Sequence, residues 1–291
     1  MTSTLGIEGN SAIMGHHYVP QYYLHGFAND GRMWAHDRVE SRSFLTQPKV
    51  VAHESGMYPD EVEQYLATKI EDPARVAIDK VRNLAPLDSG DRLALAKYIV
   101  ALWKRVPEGR RRASERMPEV AASVKADVLA RIDKLVAEDP SLSVIADERR
   151  GQVRSIISLY EEDPPPDIWH KSLRTEFTPR VVDSLLSMKW RYLHTKAPMF
   201  LASDNPVFFF AHEGIGQPTS ELTLPFSGSV ALWANRRENS PASIVQASPV
   251  AIREINRRSA YNATRFVFSI NNDQWILPFH CKGKWALNRL Q

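Results

Sequence analysis

The stretch from Leu93 to Trp103 places Leu93, Leu95, Ala96, Ile99, Val100 and Trp103 at helical spacing with few polar interruptions. A helix that is apolar almost all round has to be packed on most of its sides, so the remaining chain must wrap it. Asp88-Ser89-Gly90-Asp91 supplies a helix start and Pro107-Glu108-Gly109 an end. Helical periodicity extends beyond this segment in both directions. Val62, Tyr65, Leu66 and Ile70 recur at three and four residues, and Val76, Ala77 and Val81 continue past Pro73, which should break or kink the helix. Charged helices follow over about Met117 to Glu138 and Leu142 to Glu161, ended by the Asp163-Pro164-Pro165-Pro166-Asp167 punctuation, and another runs from about Thr178 to Ser187.

Both ends of the chain change period. Arg32 to Arg38 reads as a short strand after the Asn29-Asp30-Gly31 turn, with Ser43 to Ala52 as a second extended segment. Towards the other end, Lys189 to His194, Met199 to Ala202, Val207 to Phe210, Leu222 to Phe226 and Val230 to Ala234 are strand-like. A helix over about Val250 to Ala263 then precedes a last strand at Arg265 to Ile270. No repeat, low-complexity tract or clean linker interrupts the pattern. The expected fold is α+β: one domain over 1–291 whose helical middle, about 60–188, is flanked by β-rich N- and C-terminal segments that pair in one mixed or antiparallel sheet.

Composition narrows the functional classes without choosing one. At 291 residues, 43% hydrophobic and 24% charged, the chain can bury a sizeable core. A net charge of +3 is too mild to imply nucleic acid by itself. The single cysteine, Cys281, excludes an intrachain disulfide and a thiolate metal cluster, and is expected to be a small buried hydrophobe. No apolar run is long enough to span a membrane, and Met1 to Asn10 lacks the pattern of a secretion signal, so the expected address is cytoplasmic. HExxH, CxxC, GxxxxGK[ST] and GxSxG are all absent, which argues against zincins, zinc ribbons, P-loop enzymes and α/β-hydrolases of ordinary sequence.

Chemistry concentrates near the start. Gly15 to Phe27 holds His16, His17, His25, Tyr18, Tyr22 and Tyr23 in one short polar and aromatic segment. His16 and His17 are adjacent, so at most one of them points into any given pocket. This segment carries a family resemblance. The His16-His17-Tyr18-Val19-Pro20-Gln21 opening with Tyr23-Leu24 and Gly26-Phe27 resembles an uncharacterised bacterial family, the domain of unknown function numbered 4238. EVEQYLATKIEDPARVAIDKV ending at Val81, Asp91 to Pro107 with Arg105-Val106-Pro107, and Ser203-Asp204-Asn205-Pro206-Val207 fit in order. The resemblance spans roughly the whole chain and is weakest at about Pro118 to Pro166. It implies a common fold and marks positions, one of them a helical glutamate at Glu71, but no activity comes with it.

Three groups of residues are candidates for a site. Asp204 and Asn205 interrupt two apolar runs, as a metal-binding or water-polarising pair would, although a turn lock explains them equally. Glu63 and Glu71 lie eight residues apart, on roughly one face of a regular helix, and Glu71 beside the Pro73 break is suited to act as a base or to orient an imidazole. Arg105, at a helix end, is suited to clamp phosphate or carboxylate, or simply to complement the helix dipole. The basic runs Arg110-Arg111-Arg112, Arg236-Arg237 and Arg257-Arg258 read as solvated faces.

Two readings follow. In the first the protein is a metal-assisted hydrolase or nuclease acting on nucleic acid or another phosphate-bearing substrate, with no membrane role. His17, Glu71, Asp204 and Asn205 are then catalytic, Gln21 and Arg105 bind substrate, and a divalent metal is held by His16, His17 and Asp204. In the second it is a noncatalytic binding or interaction protein whose polar motifs lock loops. The first reading requires that the histidine segment and Ser203 to Val207 converge on one pocket.

Overall fold

A computed structural model describes residues 15–162, 165, 167–174, 179–210, 214–236, 243–283 and 285–290. Met1 to Asn10, most of the proline-rich punctuation after Asp163, Thr178 and Arg237 lie outside the described residues. The β-rich N-terminal segment comprises β1 (Gly15–His17), a one-turn helix α1 (Gln21–Leu24), β2 (Met33–Asp37), β3 (Arg42–Thr46) and β4 (His53–Ser55). The helical middle follows as α2 (Asp60–Tyr65), α3 (Asp72–Arg82), α4 (Ser89–Arg105), α5 (Pro107–Glu138), α6 (Ser143–Glu162), α7 (Asp167–Ser172) and α8 (Pro179–Leu186). The C-terminal part holds β5 (Lys189–His194), β6 (Ala202–Ser203), β7 (Phe208–Phe209), β8 (Glu221–Pro225), β9 (Val230–Asn235), β10 (Ile244–Gln246), α9 (Pro249–Asn262), β11 (Phe266–Ser269) and α10 (Ile276–Cys281).

The α+β class and the helical middle hold, while the single sheet does not. Among the described residues the strands divide into a two-stranded β1-β4 ribbon, a four-stranded sheet ordered β3-β2-β11-β6 and a five-stranded sheet ordered β10-β5-β9-β8-β7. The two ends of the chain do meet in the four-stranded sheet, where β11 pairs antiparallel with β2 and Phe268 lies opposite Ala35. His36 ties that sheet together. Its Nδ1 meets the Ser43 hydroxyl and its Nε2 the Ser269 hydroxyl, both at 2.8 Å. Ser269 gives its own proton to the Asn271 carbonyl, so Nε2 of His36 is the donor.

Burial explains why the second sheet stands apart. β8 and β9 are buried at every residue, as strands covered on both faces must be. Leu222, Leu224, Leu232 and Ala234 enter the main core with α4, whereas Ala231 and Trp233 pack on the other side with Ile255 of α9 and Leu290. This second face also carries a buried ion cluster. Arg258 lies 2.7 Å from Glu221 and 3.6 Å from Glu254. The two glutamates accept the backbone N–H groups of Leu290 and Asn288, which holds the C-terminal segment on the sheet.

The central helix is the one expected. α4 buries Leu95, Ala96, Ile99, Val100 and Leu102, and Asp88 and Asp91 each accept the other's backbone N–H in a capping box at its start. Trp103 is half-buried against Phe209 and Arg112. α4 ends at Arg105 as Pro107 requires, since the residue before a proline is pushed out of the helical region, and Pro107 then opens α5, where its missing N–H is needed least. Ser43 to Ala52 is not one extended segment: β3 ends at Thr46 and a tight 3-10 turn takes Pro48–Val50. Cys281, expected to be buried, is exposed at the end of α10. No helix among the described residues is long and apolar enough to cross a membrane.

Two predictions follow from this packing. Ile99→Ala should lower the unfolding free energy by about 2–5 kcal/mol, whereas Arg111→Ala on the exposed face of α5 should leave the melting temperature unchanged. The second concerns acid. Burial pushes His36 and His280 down to about 4, and the unfolded imidazoles keep their ordinary value of 6.5. The unfolded chain therefore binds more protons between those values, and the histidines' contribution to stability is lost as the pH falls from about 6.5 to about 4. Urea titrations across that window should show stability rising with pH, with a shallower slope in His280→Gln.

Candidate functional site

The β1-β4 ribbon pairs His16 with Glu54 and His17 with His53, and strand alternation sends the two histidines to opposite sides. His16 is buried. Its ring stacks on Tyr58 with centroids 4.7 Å apart, its Nδ1 accepts the Tyr58 backbone N–H at 3.5 Å, and its Nε2 stands 3.6 Å from Asp60. His17 faces a polar pocket of about 340 Å³. Its Nε2 is 3.2 Å from the Lys49 carbonyl, an acceptor, so Nε2 carries the proton and Nδ1 keeps its lone pair. Burial lowers the pKa of this imidazole, and the Lys49 bond offsets only part of that effect. At neutral pH the ring is neutral and able to accept a proton.

The opposite wall comes from the helix that carries Glu63 and Glu71. On a regular helix, residues eight apart point about 80° from one another. The chain does not keep a regular helix here. Leu66–Glu71 forms a π-type turn between α2 and α3, immediately before Pro73, whose missing N–H could not complete an ordinary turn. Absorbing one extra residue reduces the divergence to about 20°, and both glutamates reach the pocket. Arg75, one turn beyond Glu71, reaches its mouth and also pairs with Asp72 at 3.4 Å.

Arg105 closes the back of the pocket from the last turn of α4. Its guanidinium is only 2% exposed and donates to Glu71, to the His17 carbonyl and, at 2.9 Å, to the Tyr58 hydroxyl, with Glu63 3.7 Å away. Burial opposes its charge, but Glu71, Tyr58 and Glu63 outweigh that effect and keep it protonated. Burial pushes the Tyr58 phenol up to about 12, so Tyr58 enters this network neutral. The floor is fixed by Arg82, which donates to the carbonyls of Tyr22, Tyr23 and Phe226. Gly26 allows that approach, since a Cβ there would stand 2.3 Å from the Phe226 carbonyl oxygen.

Of the candidate residues singled out by sequence, His17, Gln21, Glu63, Glu71 and Arg105 line this one pocket. Asp204 and Asn205 are not among its lining residues. Asp204 follows β6 and accepts three backbone N–H groups, from Thr264, Arg265 and Phe266, at 2.7, 2.7 and 2.9 Å. Asn205 and Asn262 exchange side-chain to backbone bonds, and Asn262 also reaches the Val207 carbonyl. Together they fasten the end of β6 to the start of β11 and the end of α9. The opening segment does approach this lock through Tyr18, whose phenol is raised by burial and by the Asp204 charge. Hence His16, His17 and Asp204 do not form the expected metal centre: His16 is turned away and Asp204 is committed to amides. Among the described residues no group of three or more His, Cys, Asp or Glu side chains is placed to hold a metal ion. Arg105 lines the pocket as expected of a substrate-binding residue, but its NH1 and NH2 groups already donate to Glu71, the His17 carbonyl and Tyr58, which leaves only Nε among its donors without a partner among the described residues.

Sequence reasoning passed over Tyr58 and Arg75, and gave His25 of the opening segment no role. Arg75 stands four residues after Glu71, a spacing that could have placed it on the same face. Nothing local announces Tyr58, which matters only because α4 brings Arg105 to it.

Residues 15–273 match the sequence profile of a family described as a protein of unknown function, DUF4238, and the chain belongs to that family. No curated protein and no solved structure matches it significantly.

The Asp204 lock has a measurable pH signature. Burial outweighs the three amide bonds and pushes this carboxyl from 3.8 up to about 6. The folded state then holds a proton that the unfolded chain has released, so the contribution of Asp204 to stability is full below about 4 and is lost as the pH rises through about 6. Asp204→Asn should be destabilising by about 1–3 kcal/mol, because its amide N–H₂ meets backbone donors, and should cost more at pH 4 than at pH 7. A larger cost at pH 7 would show that the amide bonds outweigh burial.

Proposed function

We propose that this protein is a hydrolase whose reaction site is the pocket between β1, α1, the π-type turn and the end of α4. One observation carries the reading: a neutral His17, whose Nδ1 has no hydrogen-bond partner among the described residues, shares a pocket of about 340 Å³ with Glu63 and Glu71. In this scheme His17 Nδ1 takes the proton of an attacking water. Glu63, which is not the carboxylate bonded to Arg105, accepts a hydrogen bond from the substrate, while Gln21 and His25 orient it. Arg105 is a positioning residue that holds Glu71 and the β1 backbone.

The charge balance bears on the substrate. Arg105 is neutralised by Glu71, and Arg75 shares its charge with Asp72, so no surplus of positive charge awaits a bare phosphate. A small, polar, uncharged or cationic ester, amide or glycoside suits this lining better than a phosphodiester. The noncatalytic reading has an observation of its own in its favour, since His16, Asp204, Asn205 and Arg105 are all held by structural partners.

A panel of chromogenic esters, amides, glycosides and a phosphodiester, each with and without Mg²⁺ or Mn²⁺, tests the proposal. Wild type should turn over at least one uncharged substrate. His17→Ala should lose about 10²-fold or more in kcat with little change in melting temperature, and Asp204→Asn should keep its kcat. A wild type inert across the panel, or a His17→Ala variant as active as wild type, would sink the hydrolase reading. Turnover of the phosphodiester alone, and only with the cation, would replace the substrate class by a nuclease substrate.

A further inference from the structure

α5 and α6 form a long antiparallel arm whose register is set by Lys125 with Glu161 at 2.5 Å and Arg150 with Asp133 at 2.6 Å. Beyond Gly109 at its base, the two helices fully bury only Ala121 and Ala146. Another face of α5 is left exposed. Val120, Val124, Asp127, Arg131 and Leu135 fall within about 80° of arc, and the three apolar residues are 45%, 47% and 54% exposed. Among the described residues Asp127 and Arg131 make no ion pair, although their i,i+4 spacing allows one.

This stripe is complementary to itself when reversed. If a second copy lies antiparallel across a two-fold axis level with Leu129, Asp127 stands two residues before the axis and Arg131 two residues after it, so each meets its opposite charge on the other copy. Val124 and Leu135 stand five and six residues from the axis and face one another across it. An isologous interface requires this reciprocity: residue i meets j, and j meets i. Charge order, apolar spacing and, among the described residues, the absence of an ion pair at Asp127 and Arg131 thus agree on one occupant. We infer that the outer stripe of α5 is a homodimer interface, formed by antiparallel packing against α5 of a second copy of this chain.

The test is the mass of the full-length protein by sedimentation velocity, with melting curves to confirm folding. Wild type should sediment at about twice its 33.0 kDa chain mass. Asp127→Arg and Arg131→Asp alone should each weaken dimerisation by about tenfold or more, because like charges then meet at the axis. The double variant restores opposite charges across the axis and should recover the dimer. A wild type that stays at 33.0 kDa up to about 100 µM overturns the inference, whether or not it then binds anionic vesicles or another protein. So do folded single variants that remain fully dimeric, or a folded double variant that stays monomeric.

Discussion

A guanidinium removed from water must be surrounded by acceptors, and the architecture around the pocket follows from meeting that demand for Arg105. Leaving such a charge unpaired is costly, so groups from separate parts of the chain are drawn to it. Glu71 supplies the countercharge from the π-type turn, the His17 carbonyl accepts from β1, and the Tyr58 hydroxyl accepts from the connection between β4 and α2. α4 delivers the charge because its length is anchored by the capping box at Asp88 and by its buried apolar surface. The pocket is the space left in front of this assembly. Two of the groups that line it, His17 and Glu63, stand on elements that Arg105 holds, the first through its backbone carbonyl and the second at 3.7 Å.

Two kinds of polar motif that look alike in the sequence part ways in the fold. His17 and Glu71 face solvent-accessible volume, whereas Asp204 and Asn205 satisfy backbone groups where two strands and a helix end meet. A carboxylate that accepts three amide N–H groups has little left for a ligand. Arg258 with Glu221 and Glu254 works similarly at the far face of the five-stranded sheet, where it fastens the C-terminal segment.

Much of the fold was legible because local rules govern it. The apolar run of α4, its Asp88 to Asp91 start, the hairpin after Asn29-Asp30-Gly31 and the meeting of the two chain ends all follow from periodicity and turn chemistry. The division into separate sheets was not legible, because strand-like segments do not state their partners, and the full burial of β8 and β9 is a tertiary fact. Half of the site was visible in the same sense. His17, Gln21, Glu71 and Arg105 could be named as unusual residues, but their convergence depends on a π-type turn that no residue pattern announces. Asp204 is ambiguous in the sequence because a structural carboxylate and a ligating one have the same letter, and its three amide donors favour the turn lock. Pro73, expected to break or kink the helix, distorts it by favouring the wider turn that aligns Glu63 with Glu71.

Arg105 and Glu71 act as one unit on which the pocket depends. A double-mutant cycle on unfolding free energy, using Arg105→Met, Glu71→Gln and the pair, measures that coupling directly. Each single variant should lose about 3–5 kcal/mol, since it strands a buried partner, and the double variant should be much less destabilised than their sum. Single losses that simply add would contradict this coupling, and would mean that the guanidinium is held by its neutral partners alone.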